Sequence, residues 1–311
     1  MGWGHIVRSM ALASMLKDEF RTVLVSIADS PFVHQQAREA GADLILVDNN
    51  NSPFPGVLSK LDLVVVDGYH FGTDYLNDIR KRGAKIVCID DLHSDTYDAD
   101  AIINHNPATS KDHYPRTDQK RLLLGFDFAL LRKPFLEAAR VSRPRTSFDK
   151  LLICMGGTDP HNLTSRVLTA SLTTGLFRTI DVVTRSGQNL GNLPVNVHQH
   201  SELEAAQMCD LMMQNDIMIA PASSLSFEAI SSRICLICGH FETNQLELYE
   251  YLNRNQIAFG AGSFRSLDEK GLRRIIDGSI PFFKSQDRSK RLIDGQQDAR
   301  FKRAFRTLTA A

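Results

Sequence analysis

The sequence has little of three features that would place it in a broad class at once. It has no excess charge, since 36 Lys and Arg balance 36 Asp and Glu. It has no apolar run near the roughly 20 residues that span a bilayer, and its first residues lack the basic-then-apolar pattern of a signal peptide. We therefore expect a cytoplasmic protein without membrane insertion and without the basic surface of a general nucleic-acid binder.

Cysteine is also scarce, with five among 311 residues. An odd number, mostly in apolar strand-like runs, is typical of a reduced protein rather than a disulfide framework. Cys235 and Cys238 form a CxxC spacing, which also occurs in zinc and redox sites. The pair lies inside the apolar stretch ICLIC without a second ligand pair at zinc-site spacing, so a buried strand is the favoured interpretation.

What the chain does have is an alternation of short apolar runs and helical segments. Continuous apolar runs are typical of strands covered on both faces, and strand–helix alternation predicts parallel sheets. The strand candidates are RTVLVSIAD, ADLILVD, LDLVVVD, AKIVCIDD, DAIINH, DKLLICMGG, TIDVVTR, NVHQH, DIMIAPA and ICLICG. The sequence therefore predicts a doubly wound α/β architecture.

The length predicts two domains. The stretch RVSRPRTSFDK, rich in Arg, Ser and Pro, divides the series and is typical of an interdomain linker. We expect an N-terminal Rossmann-like domain over residues 1–140 and a C-terminal one over residues 141–311.

The chain opens MGWGHIVRSM, a glycine-rich turn that leads directly into a helical pattern. In a doubly wound sheet such a turn follows a central strand, and none precedes this one. One interpretation is that the first strand of the N-terminal domain is missing and the true start lies upstream of Met1. The alternative is an ordinary frayed terminus.

Several loops that follow predicted strands carry polar side chains. His5 lies beside the backbone amides of a helix N-terminus, and an imidazole titrates near neutrality, so it can serve as a general base. Asp67, Tyr69 and His70 follow LDLVVVD, while Asp90, Asp91 and His93 follow AKIVCID. Aspartates at strand ends often only cap turns. No third hard ligand has a recognisable spacing, so no metal is inferred.

The second half offers two comparable turns. Gly156, Gly157 and Thr158 link a strand to a helix, where a backbone free of side chains can approach a phosphate closely. A plain strand-to-helix turn explains the same pattern. Ser223 and Ser224 precede a helix that carries Glu228, which can accept two ribose hydroxyls or can belong to a capping box.

Taken in order, a set of segments resembles one family over roughly residues 2–260. The segments are G-x-G-H-x-x-R (Gly2 to Arg8), VVVDGYHFG, CIDD, IINHN, GFDFALLR, CMGGTDPHN, ASSLSFEA and TNQ. The family is the UDP-sugar hydrolase of pseudaminic acid biosynthesis, PseG, with its spore-coat polysaccharide relatives of SpsG type. It is similar to MurG-type glycosyltransferases, so the resemblance implies the GT-B fold, with two Rossmann-like domains facing a cleft.

The resemblance also implies an activity and a site. The activity is hydrolysis of UDP-2,4-diacetamido-2,4,6-trideoxy-β-L-altrose or a related UDP-sugar, by inverting attack of water and without a cofactor or metal. The catalytic residue it implies is His5. The substrate-binding residues are Gly4, Arg8, Asp67, Tyr69, Gly156, Gly157, Thr158, Ser223, Ser224, Glu228, Asn244 and Gln245. We expect the UDP-sugar to be the partner of a monomer.

Two alternatives stay open beside the hydrolase. A GT-B glycosyltransferase would hand the sugar to an acceptor, although no apolar or basic membrane-facing patch is evident in the N-terminal half. A non-catalytic relative would bind the nucleotide-sugar without turnover. One departure from the family concerns the nucleotide side, because Phe227 stands where some relatives carry Asn.

Overall fold

The computed structural model describes most of the chain. The described residues are 4–48, 56, 58–93, 98–115, 121–141, 147–157, 159, 161–287 and 289–310. Contacts divide the chain into two compact units. We call Trp3–Lys133 together with Gln296–Ala311 the N-terminal unit, and Pro134–Gly295 the C-terminal unit.

Ten helices and twelve strands form within the described residues. The helices are α1 (Gly4–Leu16), α2 (Pro31–Ala40), α3 (Thr73–Lys81), α4 (Lys133–Arg140), α5 (Leu163–Thr174), α6 (Ala205–Gln214), α7 (Ser224–Ser232), α8 (Leu246–Arg254), α9 (Glu269–Ser285) and α10 (Gln297–Ala310). The strands are β1 (Val23–Ser26), β2 (Asp43–Leu46), β3 (Leu63–Asp67), β4 (Lys85–Ile89), β5 (Ala101–Asn104), β6 (Arg121–Leu124), β7 (Lys150–Cys154), β8 (Thr179–Val183), β9 (Val197–His200), β10 (Ile217–Pro221), β11 (Cys235–His240) and β12 (Phe259–Ser263). Three single 3-10 turns span Lys111–His113, Phe126–Phe128 and Thr243–Gln245.

The N-terminal unit contains two parallel sheets. One pairs β1 with β2, and the other has the order β3-β4-β5-β6. Helix α2 begins at an N-cap serine, Ser30, followed by Pro31 at its first position, and ends at Gly41 in the left-handed conformation. These are the start and stop signals that sequence patterns favour. A small core of apolar side chains joins α1, β1 and α2, so that α1 is fixed close to the sheet.

The last helix belongs to the N-terminal unit, whereas the sequence pattern predicts residues 141–311 as one C-terminal domain. Helix α10 packs on α1, and its Phe301 and Phe305 are almost fully buried. Lys302 pairs with Asp18 at 2.9 Å, and Arg306 pairs with Glu19. An amphipathic helix takes whichever apolar face is available, and sequence position does not reveal which one. The linker predicted near residues 140–150 includes residues 142–146, which lie outside the described part of the chain.

The C-terminal unit is built on one six-stranded parallel sheet of order β12-β11-β10-β7-β8-β9. Its first strand is central and the order is that of a doubly wound Rossmann sheet, so the predicted fold class is confirmed. The core lies between this sheet and helices such as α5 and α9, which contact each other extensively. Cys235 and Cys238 lie buried in β11 as free thiols without a disulfide bond, which confirms the strand interpretation of the CxxC spacing.

The described helices can be compared with the length and hydropathy of membrane-spanning helices. No helix in the described ranges combines the length and the apolar character that a bilayer requires.

Candidate functional site

Three neighbouring parallel strands bring polar side chains together at one edge of the N-terminal unit. Asp67 ends β3, Asp91 follows β4 by two residues, and His105 comes directly after β5. Parallel strands point their carboxyl ends to the same edge, so these loops lie side by side. Helix α1 adds its first turns to this edge. We call the resulting group the base cluster; it consists of His5, Arg8, Ser9, Asp67, Tyr69 and Asp91.

Asp67 is the centre of the base cluster. Arg8 donates from Nε to Oδ2 at 2.8 Å and from Nη2 to Oδ1 at 2.5 Å, which is a bidentate fork. The Ser9 hydroxyl donates to Oδ2 at 2.9 Å, and His5 Nδ1 lies 2.6 Å from Oδ1. Burial acts to raise the pKa of Asp67, but the hydrogen bonds from Arg8 and His5 outweigh it and hold the pKa below its ordinary value. Asp67 is therefore an anion at neutral pH.

An ionised Asp67 decides the tautomer of His5. A carboxylate only accepts hydrogen bonds, so a contact of 2.6 Å requires the imidazole proton to be on Nδ1. Arg8 Nη2 also approaches Nδ1, at 3.0 Å, but it cannot donate to a nitrogen that carries a proton. In the neutral imidazole, Nε2 is then the nitrogen that carries the lone pair. Among the described residues it has no hydrogen-bond partner, and the His5 side chain is 18% exposed.

Arg8 is nearly buried, with 8% of its surface exposed. Burial alone would lower the pKa of Arg8, but the hydrogen bonds and charges of Asp67 and Asp91 raise it above its ordinary value. Its contacts run to these two carboxylates, with Nη1 donating to Asp91 Oδ2 at 2.9 Å. The guanidinium thus organises the base cluster from within. The resemblance implied substrate binding for this residue; its geometry favours a positioning role.

Gly4 and Tyr69 lie at the solvent side of the same group. Gly4 is the exposed first residue of α1, and a Cβ added there would meet no atom within 4 Å. Tyr69 is 46% exposed, and its ring meets the His5 ring edge-on at 5.0 Å. Gly68 precedes it with φ +156, and a Cβ there would lie 3.0 Å from Phe71, so the loop that presents Tyr69 requires glycine.

The polar residues that follow β4 have two roles: some hold the end of the strand, and others belong to the base cluster. Asp90 is buried and accepts from the Tyr114 hydroxyl at 2.7 Å and from the Leu92 amide at 3.0 Å, so it anchors the end of β4. The left-handed His93 contacts Thr109 at 2.9 Å through Nε2. Sequence patterns missed Asp91 and Ser9 as members of the base cluster. The available signal for Asp91 was its position just after a strand, which Asp90 shares.

His105 supports a prediction about the pH dependence of stability. Its Nδ1 accepts from the Leu130 amide at 3.3 Å, and burial, followed by the charge of Arg8, lowers the pKa of His105 from 6.5 to about 3. Below pH 6.5, His105 is protonated in the unfolded chain but stays neutral in the folded protein. We expect the free energy of unfolding to fall by up to about 1.4 kcal/mol per pH unit between pH 6.5 and 3, and not above pH 6.5. Urea unfolding at pH 7.5 and pH 5 measures this loss, which His105→Gln should reduce. An equal loss in both proteins would contradict the prediction.

The C-terminal unit has a second polar edge, built by β7, β10 and β11. Strand β10 pairs with both neighbours, so the turns after all three strands are adjacent. After β7, Gly156 has φ +94, and a Cβ added at Gly156 or Gly157 would meet no atom within 4 Å. Thr158 lies outside the described residues. Next, Asp159 accepts from the Leu163 and Thr164 amides at 2.8 and 2.9 Å and so caps α5. A phosphate at this turn would therefore use the glycine backbone rather than those helix amides.

The turn after β10 contradicts one of the two interpretations of Glu228. Ser223 is the N-cap of α7, and its reciprocal capping partner is Ser226. Glu228 lies beyond this box and is almost fully buried, so the capping-box alternative is wrong. Ser224 is the half-buried first residue of the helix. Phe227 is 2% exposed and belongs to the buried apolar core.

The Ser223 cap supports a stability prediction. Its hydroxyl accepts from the Leu225 amide at 3.4 Å, and the Ser226 hydroxyl accepts from the Ser223 amide at 3.4 Å. We expect Ser223→Ala to lower the free energy of unfolding by about 1 kcal/mol through loss of the cap. Ser223→Asp, which keeps a capping oxygen, is the matched control for urea unfolding. A loss in the Asp variant equal to that in the Ala variant would contradict the capping role.

The turn after β11 holds the remaining predicted residues. Asn244 and Gln245 belong to the 3-10 turn Thr243–Gln245. Gln245 Oε1 accepts from the Phe241 and Glu242 amides at 2.9 and 3.4 Å, which leaves its amide NH₂ group as the donor. Asn244 is exposed. Apart from Thr158, the predicted residues of the C-terminal unit lie in the turns after β7, β10 and β11 or in the first turns of α7, and those of the N-terminal unit other than Gly4 belong to the base cluster.

Comparison with known proteins gives a small set of distant relatives. The chain is 28% identical over 243 residues to the UDP-2,4-diacetamido-2,4,6-trideoxy-β-L-altropyranose hydrolase of Campylobacter jejuni, covering 74% of this chain and 84% of that protein. It is 25% identical over 273 residues to an uncharacterized protein of Methanocaldococcus jannaschii, covering 82% of this chain, and 25% identical over 178 residues to the spore coat polysaccharide biosynthesis protein SpsG of Bacillus subtilis, covering 55%. The chain spans about half the length of the latter two, 56% and 51%. No family model matches the sequence.

Solved structures resemble the whole chain in fold. MurG of Acinetobacter baumannii superposes with a TM-score of 0.58 at 11% identity, over 99% of this chain and 95% of that one. The spinosyn rhamnosyltransferase SpnG, complexed with spinosyn aglycone, gives a TM-score of 0.61 at 13% identity, over 99% and 96%. At such identities the likeness shows the fold alone. The chain therefore has the GT-B fold and is similar, at low identity, to the UDP-sugar hydrolase and to SpsG.

Proposed function

We propose that the chain is a hydrolase that releases UDP from UDP-2,4-diacetamido-2,4,6-trideoxy-β-L-altrose or a related UDP-sugar. The observation that carries the proposal is the 2.6 Å pair of His5 Nδ1 and Asp67 Oδ1, which leaves Nε2 as a base. The substrate class comes from the printed name of the Campylobacter relative. Such a reaction serves the synthesis of nonulosonic acids and surface polysaccharides.

In the proposed reaction His5 activates a water molecule. Nε2 takes a proton from the water as its oxygen bonds to the anomeric carbon, and the bond from that carbon to the phosphate oxygen of UDP breaks. Attack opposite the leaving group inverts the anomeric centre. The negative charge leaves on UDP, and the positive charge gained by the imidazole is stabilised by Asp67. Water supplies the hydroxyl of the free sugar, so the step needs no other reactant.

The C-terminal residues are assigned the UDP side of the reaction. In this proposal the backbone of Gly156 and Gly157 approaches the diphosphate, because those turns have no side chains in the way. Ser223 and Ser224 belong to the nucleotide segment, and Glu228 accepts the ribose hydroxyls. Asn244 and the NH₂ group of Gln245 are assigned to the sugar. UDP is a good leaving group, and oriented amides favour its developing charge.

A glycosyltransferase is the second candidate. The GT-B fold of MurG and SpnG favours it, because those solved structures are glycosyltransferases by name. The same base would then deprotonate an acceptor hydroxyl in place of water. A relative that binds the nucleotide-sugar without turnover is the non-enzymatic alternative.

Proton NMR of the purified chain with the UDP-diacetamido-trideoxy sugar distinguishes the hydrolase from the other two candidates. The hydrolase proposal predicts the appearance of UDP and a free reducing sugar, with the inverted anomer first, and the same rate after addition of EDTA. Line broadening of the substrate without release would favour the transferase or the binding relative. Release that stops with EDTA would contradict the proposed use of His5 as the activating group.

A further inference from the structure

We infer that Asp91 is a positioning residue for the His5 base and acts through Arg8 and Tyr69. The inference deepens the proposed function and rests on it. Asp91 does not contact His5 in the described contacts. Its Oδ2 instead accepts at 2.9 Å from two residues that do, from the Arg8 guanidinium and from the hydroxyl of Tyr69, whose ring meets the His5 ring.

The first path runs through Arg8. Its Nε and Nη2 form the fork on Asp67 only when the guanidinium plane has one particular rotation. Asp91 accepts a hydrogen bond from Nη1 and so fixes the orientation of the guanidinium on the side away from Asp67. Because Arg8 is nearly buried, an Nη1 donor without Asp91 would have to find another acceptor inside the cluster. Turning toward one would break the fork.

The fork in turn protects the tautomer of His5. Arg8 Nη2 lies 3.0 Å from Nδ1 and 2.5 Å from Asp67 Oδ1, so imidazole and guanidinium compete for the same carboxylate oxygen. While Asp91 holds Arg8, both donors reach Asp67 together. A guanidinium that rotated toward His5 would instead donate to Nδ1. That arrangement moves the imidazole proton to Nε2 and removes the lone pair that the base requires.

The second path runs through Tyr69. Its ring meets the His5 ring edge-on at 5.0 Å and forms one wall of the imidazole site. The side chain is half exposed, so packing alone does not fix it. The hydrogen bond to Asp91 gives the ring its second point of attachment. Asp91 therefore ties helix α1 and the loop after β3 to the segment after β4, and these three elements hold the base.

The paired aspartates make the assignment specific to Asp91. Asp90 turns inward, with both oxygens used by Tyr114 and Leu92. Asp91 turns toward the base cluster, and its side chain is 26% exposed. Their positions in the sequence, both just after β4, do not distinguish the roles of the two residues. Their hydrogen-bond partners do: those of Asp90 fix the end of β4, and those of Asp91 belong to the base cluster.

Asp91→Asn tests the inference, with Asp112→Asn, at an exposed residue of the same unit, as the matched control. We expect the Nδ1 proton and nitrogen resonances of His5 to shift in substrate-free Asp91→Asn and to stay unchanged in the control. With the UDP-sugar, kcat should fall on the order of 10- to 100-fold, because the base is misplaced, while KM and the Kd for UDP stay near wild type. Asp91→Glu, which restores a carboxylate, should recover part of kcat.

Two results would overturn the inference. Unchanged His5 resonances in Asp91→Asn would remove the path through Arg8 and Tyr69. A raised KM with kcat retained would make Asp91 a substrate ligand instead. If Asp91→Asn does not fold, Tyr69→Phe removes only one hydroxyl and should shift the same His5 resonances. The NMR readout needs no substrate, so a wild-type chain that fails to hydrolyse the UDP-sugar defeats the proposed function without deciding the role of Asp91.

Discussion

Replacing His5 by alanine is expected to reduce kcat by about 10²–10⁴-fold, the usual contribution of a general base. The substitution removes the one group of the base cluster that is both hydrogen-bonded to an ionised carboxylate and free at its outer nitrogen. Affinity for UDP should stay at the wild-type level, because the nucleotide segments are assigned to the other unit. Steady-state kinetics with the UDP-sugar and calorimetric titration with UDP measure the two quantities separately.

The matched control for this substitution is His34→Ala. His34 lies on the surface of the same unit, paired with Asp29 at 2.8 Å and 44% exposed. It should leave both kcat and UDP affinity unchanged. A His5→Ala variant that turns over as fast as wild type would remove His5 from the chemistry. If neither wild type nor variant hydrolyses the UDP-sugar and both bind UDP, the result would favour the non-catalytic binding alternative.

Replacing Arg8 by methionine is expected to lower the free energy of unfolding by about 3–5 kcal/mol, because it leaves the buried Asp67 without its counter-charge. Asp67 has 5% of its side chain exposed, so water cannot take the place of the guanidinium. The double variant Arg8→Met, Asp67→Asn should recover much of this loss, since the stranded charge is gone. Urea unfolding of the three proteins at pH 7 measures the effect.

The pH dependence of the Arg8→Met effect follows from the pKa of Asp67. In wild type that pKa lies below its ordinary value, so its contribution to stability is complete above about pH 4 and is lost as pH falls through the folded-state pKa. In the variant, burial without a counter-charge raises the pKa of Asp67. Lowering the pH then protonates the buried carboxylate and removes its uncompensated charge. The difference between the two proteins should therefore shrink as pH falls. Arg21→Met, at an exposed ion pair with Asp43, should cost less than about 1 kcal/mol at any of these pH values. An Arg8→Met loss no larger than that would contradict the account of the base cluster.

The fold was largely predictable from the apolar pattern. All ten predicted strands form, because continuous runs such as VVVD and LLIC can be buried only between layers. Strands β6 and β12 were missed for opposite reasons. The first is only RLLL, preceded by a polar stretch, and the second, FGAGS, is rich in glycine and poor in the side chains that favour strands.

Candidate site residues could be chosen from the sequence, but the contacts among them could not be predicted. His5 and Asp67 were both named as candidates from the sequence, yet 62 residues separate them, and only the folded chain reveals that they form a hydrogen bond. The inward turn of Asp90 depends on Tyr114, and the outward turn of Asp91 on Arg8 and Tyr69; no local pattern links these partners to the two aspartates. The packing of α10 on α1 is a further case, because an amphipathic helix does not specify its partner in sequence.

The most direct test of the central claim follows the oxygen of water. Turnover in H₂¹⁸O should place one ¹⁸O atom on the anomeric carbon of the released sugar and none in UDP, since the proposed base directs water to that carbon. Mass spectrometry of both products at early times gives the distribution. Label in the sugar, lost together with turnover in His5→Ala, is the predicted result. Label in the β-phosphate of UDP would mean that water attacks phosphorus, and it would contradict the account.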